Sequence, residues 1–110
     1  MIGLHNHSSG DIFIPDEDSL ENALTRTTHL AIGAHSDDIE IMAYHGIVDC
    51  YGYRRKDKWF SGVTVTNGRG SSRVGPYSSC SDEEMIEIRK VEQRQAAMVG
   101  KYGAMLQLGY

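Results

Sequence analysis

"THLAIGAHSDDIEIMAYHGIVDC", residues 28–50, decides how this chain is read. Its opening part, Thr28 to Ala34, is a compact apolar run with polar residues on either side. A run of that length predicts a strand buried on both faces, as in a parallel sheet. A helix is predicted directly after it, because Ile39, Met42, Ala43, Gly46, Ile47 and Cys50 recur at i, i+3, i+4, i+7, i+8 and i+11. That spacing is one continuous helical stripe. Ala43 and Gly46 are small, which suits a helix face that must approach a sheet. Asp37 or Asp38 stands at the predicted helix start, where a carboxylate meets unpaired backbone N–H groups.

The same alternation continues downstream. "WFSGVTVTNG" predicts a second strand centred on Val63 to Thr66. "GRGSSRVGPYSSCS" is a Gly/Ser-rich loop, of a length that within a domain usually serves function. "SDEE", Ser81 to Glu84, is a capping box that opens a long helix to about Val99. "GAMLQLGY" closes the chain as a third strand. The order strand, helix, strand, helix, strand predicts an α/β fold, with a Rossmann-like parallel sheet and flanking helices. It is the right-handed βαβαβ half of a larger doubly wound sheet. Three parallel strands with bare edges make a poor stable domain. The expectation is therefore that the chain is one half of a larger protein, or pairs with a chain that supplies the remainder.

Upstream, residues 1–27 read as an N-terminal extension. Residues 1–15 are irregular, with His5 and His7 alternating with Leu4 and Asn6. "DIFIP" reads as a short edge strand that stops at Pro15. Asp16 to about Thr25 reads as a short helix with acidic residues in its first turn and Ser19 or Asp18 as cap.

Composition narrows the function classes. The formal charge of −4 leaves no basic footprint for nucleic acid. The cluster Arg54, Arg55, Lys56 and Lys58 surrounds Asp57 and reads as a solvated loop. No stretch approaches the roughly 20 apolar residues of a membrane span. "MIGLHNHSSGD" has neither the basic start nor the apolar core of a signal peptide. Cys50 lies on the apolar stripe as a buried thiol, and Cys80 lies in an unrelated setting. With no disulfide framework, a cytoplasmic location is the expectation.

Ligands in open α/β sheets bind at the carboxyl ends of the strands. His35, Asp37 and Asp38 stand at that end of the first parallel strand. His35 and Asp38 can converge across the strand-to-helix turn, and imidazole plus carboxylate is a reasonable pair of zinc ligands. Asp37, between them, cannot easily point the same way and can face a metal-activated water. The plainer reading is that both aspartates only cap the helix. A dinucleotide site is disfavoured, because no G-x-G-x-x-G follows the strand, only Gly33.

Three motifs in order carry a family resemblance. "LAIGAHSDDIEIMAYHGI" resembles the opening motif of the PIG-L/LmbE-like zinc-dependent N-deacetylases, His-Pro-Asp-Asp followed by Glu. "VTVTNGRGSSR" is similar to their second strand and Thr-Asp-Gly loop. "IRKVEQRQAAMVGKYGAMLQLGY" is similar to their Arg-x-x-Glu helix, which leads through a Gly into the third strand. The resemblance covers residues 28–110, as the N-terminal half of such a domain. It implies that His35 and Asp38 are the first two ligands of Zn2+, or of another divalent metal. It implies that Asp37 is the general base and that Arg89 touches the substrate. Arg89 also reads as an i,i+3 partner of Glu92.

The implied reaction is removal of an acetyl group from an N-acetylglucosamine-type amide, on a free sugar or a glycoconjugate. Water activated by zinc attacks the carbonyl and Asp37 takes its proton. The chain departs from the family at Ser36 (Pro in the family), Asn67 (Asp) and Arg69 (often Glu). His45 reads as a surface or supporting histidine. The family's third ligand is a histidine from a later motif, expected from the remainder of the domain or from a companion chain, with His5 and His7 as weaker candidates. A homo-oligomer is compatible with this picture. Two rival readings are a noncatalytic sugar-binding or regulatory domain that keeps the fold, and a metal-free scaffold.

Overall fold

The computed structural model describes residues 10–51, 57–69 and 75–110. His5, His7, the basic residues Arg54, Arg55 and Lys56, and the middle of the Gly/Ser-rich loop lie outside the described residues. The elements run β1 (Asp11–Phe13), α1 (Leu20–Arg26), β2 (His29–Gly33), α2 (Asp38–Met42), α3 (Tyr44–Asp49), β3 (Phe60–Thr64), α4 (Asp82–Gly100) and β4 (Ala104–Gln107). The result is a small α/β domain: a four-stranded mixed sheet in the order β1-β4-β3-β2, with flanking helices. Among the described residues no helix is long and apolar enough to cross a membrane.

The strands β2, β3 and β4 are parallel neighbours, Ala31 opposite Gly62 and Gly62 opposite Met105. The "DIFIP" segment is the edge strand expected of it. It makes the sheet mixed rather than wholly parallel, because β1 runs antiparallel to β4 with Ile12 opposite Leu106. The short helix after it is capped by Ser19, whose hydroxyl accepts the Asn22 N–H at 3.1 Å. The capping box of α4 is closed in both directions. Ser81 Oγ accepts the Glu84 N–H and Glu84 accepts the Ser81 N–H. Those bonds hold the Glu84 carboxyl below its ordinary range, the Ser81 backbone bond contributing most.

Two expectations about residues 28–50 are corrected. The strand was expected to be buried on both faces, yet β2 is an edge strand, and Leu30 and Ile32 are 60% and 63% exposed. Ala31 and Gly33 face the packed side of the sheet, while the face carrying Leu30 and Ile32 meets solvent. The more buried strands are the central ones: all of β3 but Val63 is buried, and every residue of β4 is buried. The helical stripe is also broken. Ala43 takes a non-helical backbone (φ −115°, ψ 24°) that separates α2 from α3. Ile39, Ile47 and Cys50 still reach the core, but Met42 turns outward.

The core gathers Ile39, Ile47, Cys50, Phe60, Ala97, Tyr102 and Met105, with Phe13, Ala31 and Ala43 packed against it. Phe60 and Tyr102 meet edge to face, ring centres 4.8 Å apart. Each large apolar side chain buried here contributes roughly 1.5–3 kcal/mol. Burial raises the Cys50 thiol above its ordinary pKa, so it behaves as a small core hydrophobe.

The edge strand β1 is held from the side by charge. Arg94 Nε on α4 donates to Asp11 Oδ2 at 2.7 Å, and a second guanidinium N–H donates to Oδ1. The same guanidinium lies 5.0 Å from the Phe13 ring centre. Asp11 raises the Arg94 pKa above its ordinary value, the bidentate bond outweighing the cost of burial. Arg94→Met should therefore lower unfolding stability by about 2–3 kcal/mol, because it strands a carboxylate that is 12% exposed. Urea denaturation followed by circular dichroism measures this, and a change within the error of the fit would show that β1 is held by other contacts.

Candidate functional site

The carboxyl ends of the parallel strands lie side by side. Val65 N–H donates to Gly33 O and Thr66 N–H to Ala34 O, which extends the β2–β3 pairing past the strand ends. Thr66 Oγ1 also donates to Ala34 O at 2.8 Å. Asn67 N–H donates to Tyr110 O, and Tyr110 N–H to Val65 O. Three segments thus meet here: the turn after β2, the Thr66–Asn67 corner after β3 and the chain beyond β4. Asn67, which stands where the resembling family has Asp, accepts the Arg69 N–H at 3.0 Å and shapes that corner.

His35, Asp37 and Asp38 occupy the turn after β2. His35 and Asp38 come together as expected, with Nδ1 of the imidazole 3.4 Å from Oδ2 of the carboxylate. The same carboxylate oxygen accepts the His35 backbone N–H at 3.0 Å, so the two residues are fixed to each other through the backbone as well. Asp37 takes no part in that contact. It stands at the N-terminal boundary of α2 in the left-handed region (φ 72°, ψ −13°), and its side chain makes no capping bond to the helix. Asp37 is exposed. The capping reading fails for both side chains in its simple form: Asp37 caps nothing, and Asp38 closes back onto His35.

Two donors at this spacing fit a tetrahedral ion, since ligand atoms each about 2.0–2.2 Å from zinc at a tetrahedral angle stand roughly 3.4 Å apart. Among the described residues no group of three or more His, Cys, Asp and Glu side chains is placed to hold a metal. His45 is exposed on α3, in keeping with its expected surface position.

No family model, no curated protein and no solved structure matches this chain. The PIG-L/LmbE resemblance rests on the three sequence motifs.

Arg89 is engaged as its pairing with Glu92 foretold, Nη1 donating to Oε1 at 2.6 Å. Tyr77 joins them. Its hydroxyl donates to the other Glu92 oxygen at 3.2 Å, and its ring centre lies 5.3 Å from the Arg89 guanidinium carbon. Arg89 is one turn before Gln93 on the same face of α4, and Gln93 reaches the turn after β2.

That contact is the part of the site that sequence reasoning missed. Gln93 is 0% exposed. Its Oε1 accepts the Asp37 backbone N–H at 3.2 Å, and its Nε2 donates to Glu40 Oε2 at 3.1 Å and more weakly to Oε1. The Tyr102 hydroxyl donates to the same Glu40 carboxylate. Burial, and then the bond to Glu40, raise the Tyr102 pKa above its ordinary value, so the phenol keeps its proton and stays a donor. A signal was present in the sequence: Gln93 falls on the buried stripe of α4 with Met85 and Ala97, and a polar side chain there must find a partner.

The backbone geometry of β2 is what lets Asp38 sit so near the sheet. A Cβ added at Gly33 would lie 2.9 Å from Asp38 Cβ and 3.3 Å from Ile39 Cγ1. Gly33→Ala should therefore destabilise the fold by about 1–3 kcal/mol through overpacking against the first turn of α2. Chemical denaturation reads the loss directly. An alanine variant as stable as the parent would mean that α2 can move away from β2 without cost.

Proposed function

We propose that this chain carries the N-terminal half of a zinc-dependent N-deacetylase acting on N-acetylglucosamine-type amides. The observation that carries the reading is the 3.4 Å approach of His35 Nδ1 to Asp38 Oδ2 at the carboxyl end of a parallel strand. The motif resemblance supplies the chemistry that this arrangement suits. In this reading β2, β3 and β4 with their helices are the first half of a Rossmann-like doubly wound sheet. A third metal donor comes from outside the described residues, from the remainder of the domain or from a companion chain. The protein acts in the cytoplasm, with a homo-oligomer compatible with its exposed edge.

His35 and Asp38 would hold the metal. Zinc, when bound, supplies a Lewis acid that polarises an acyl oxygen and brings the pKa of water down to about 7. Asp37 takes the proton of the attacking water as the new C–O bond forms at the amide carbon. The C–N bond then breaks, Asp37 returns the proton to the departing nitrogen, and acetate and a free amine result. Arg89, tethered by Glu92 and Tyr77 one turn from Gln93, would meet the sugar or its acyl group.

The second reading is a noncatalytic sugar-binding or regulatory domain of the same fold. It draws support from the convergence of only two donors among the described residues. Metal analysis and a deacetylation assay on simple N-acetylglucosamine derivatives, both on the intact protein, separate the two. His35→Ala should lose zinc. Asp37→Asn is the better test of the base, since asparagine tolerates the left-handed backbone. It should keep zinc while kcat falls about 10²–10⁴-fold. Zinc loss of the same size in both variants would make Asp37 a ligand instead of a base, and zinc bound without turnover would favour the noncatalytic reading. A parent protein that takes up no zinc would end the proposal.

A further inference from the structure

We infer that Gln93 is a positioning residue: its buried side-chain amide, oriented by Glu40, holds the Asp37 backbone in its left-handed conformation within the turn that carries the His35–Asp38 pair. The inference rests on the metal-site reading for its functional meaning, while its structural half stands on geometry alone.

The left-handed backbone of Asp37 is unfavourable for a residue with a Cβ, at roughly 1–2 kcal/mol. Nothing from its own side chain offsets this through the helix, because that carboxylate makes no capping bond. The compensating interaction comes from α4. Gln93 Oε1 accepts the Asp37 N–H. An amide side chain has one acceptor end and one donor end, and here both are used. With Nε2 committed to the Glu40 carboxylate, the acceptor end faces Asp37 and a flip of the amide would leave donor against donor. Tyr102 donates to Glu40 from β4's approach, so the carboxylate that orients Gln93 is itself fixed.

The chain of contacts joins α4, α2 and the segment before β4, and at its centre Gln93 and Tyr102 are buried, where an unpaired polar group is costly. Glu40 lies two residues past Asp38 on α2, so the network fixes both ends of the motif's turn. At Asp37 it sets the backbone, and at Glu40 it seats the helix that carries Asp38. Supporting hydrogen bonds of this kind govern how metal ligands and bases are aimed.

The test uses the intact protein, its Gln93→Met and Tyr102→Phe variants, and Gln95→Met as a control at an exposed position of the same helix. Hydrogen exchange of the Asp37 amide is measured by NMR, and zinc affinity by competition with a chromophoric chelator. In Gln93→Met the Asp37 amide should exchange at least about ten-fold faster while other α4 amides keep their protection, and zinc affinity should fall about 10–100-fold. Tyr102→Phe should move both in the same direction by less, and Gln95→Met should move neither. Unchanged Asp37 exchange in Gln93→Met, or faster exchange with unaltered zinc affinity, overturns the inference. If Gln93→Met does not fold, Tyr102→Phe decides by the same two readouts. If the parent binds no zinc, the metal-site reading fails, and the Asp37 exchange arm alone still decides whether Gln93 holds that backbone.

Discussion

The close approach of α2 to the sheet is the constraint on which the other features depend. It is made by two missing side chains. At Gly62 an added Cβ would lie 2.9 Å from Ile39 Cδ1, and at Gly33 one would press on Asp38 and Ile39. With both positions bare, Ile39 drops fully into the core between β3 and Met105, and the turn that precedes it is pulled down onto the ends of the strands. The His35–Asp38 contact and the approach of Glu40 to α4 lie on either side of that seated turn.

Seating a helix that carries a glutamate on its inner side creates a problem that α4 and the segment leading into β4 solve. Glu40 meets the Gln93 amide and the Tyr102 hydroxyl, so its lone pairs are met by donors instead of hydrocarbon. Even a half-buried carboxylate loses part of its hydration, and these hydrogen bonds offset that loss. The elevated pKa of Tyr102 belongs to the same arrangement: its own burial, and then the Glu40 carboxylate it donates to, keep the phenol protonated. The network is thus both a structural joint between α2, α4 and β4 and the floor beneath the candidate site.

The periphery is tied by ion pairs of another kind. Arg26 donates to Asp16 and Asp18, reaches Gly103 O, and lies 3.6 Å from the Trp59 ring centre. The Arg26 bond holds the Asp16 carboxyl below its ordinary value against a smaller opposing effect of burial. Arg94 fastens β1 in similar fashion. These two arginines tie the N-terminal segment to α4 and to the segment before β4, beside the backbone pairing of β1 with β4 and the packing of Phe13 against the core.

Much of the architecture could be read in the residues. The alternation of apolar runs and helical stripes placed three parallel strands and the long helix, the SDEE box marked the start of α4 to the residue, and Pro15 ended an edge strand. Those features are local: they depend on periodicity, capping chemistry and backbone sterics within a few residues. The convergence of His35 with Asp38 was also readable, because a three-residue spacing across a strand-to-helix turn has few ways to close. Tertiary structure alone decided three other matters. It made β2 an edge, although its composition matches a buried strand, since composition does not say how many neighbours a strand will have. It broke the stripe at Ala43, whose backbone leaves the helical region. It brought Gln93 and Tyr102, more than fifty residues downstream, under Asp37 and Glu40, a meeting fixed by how the sheet orders its strands and invisible to any local pattern.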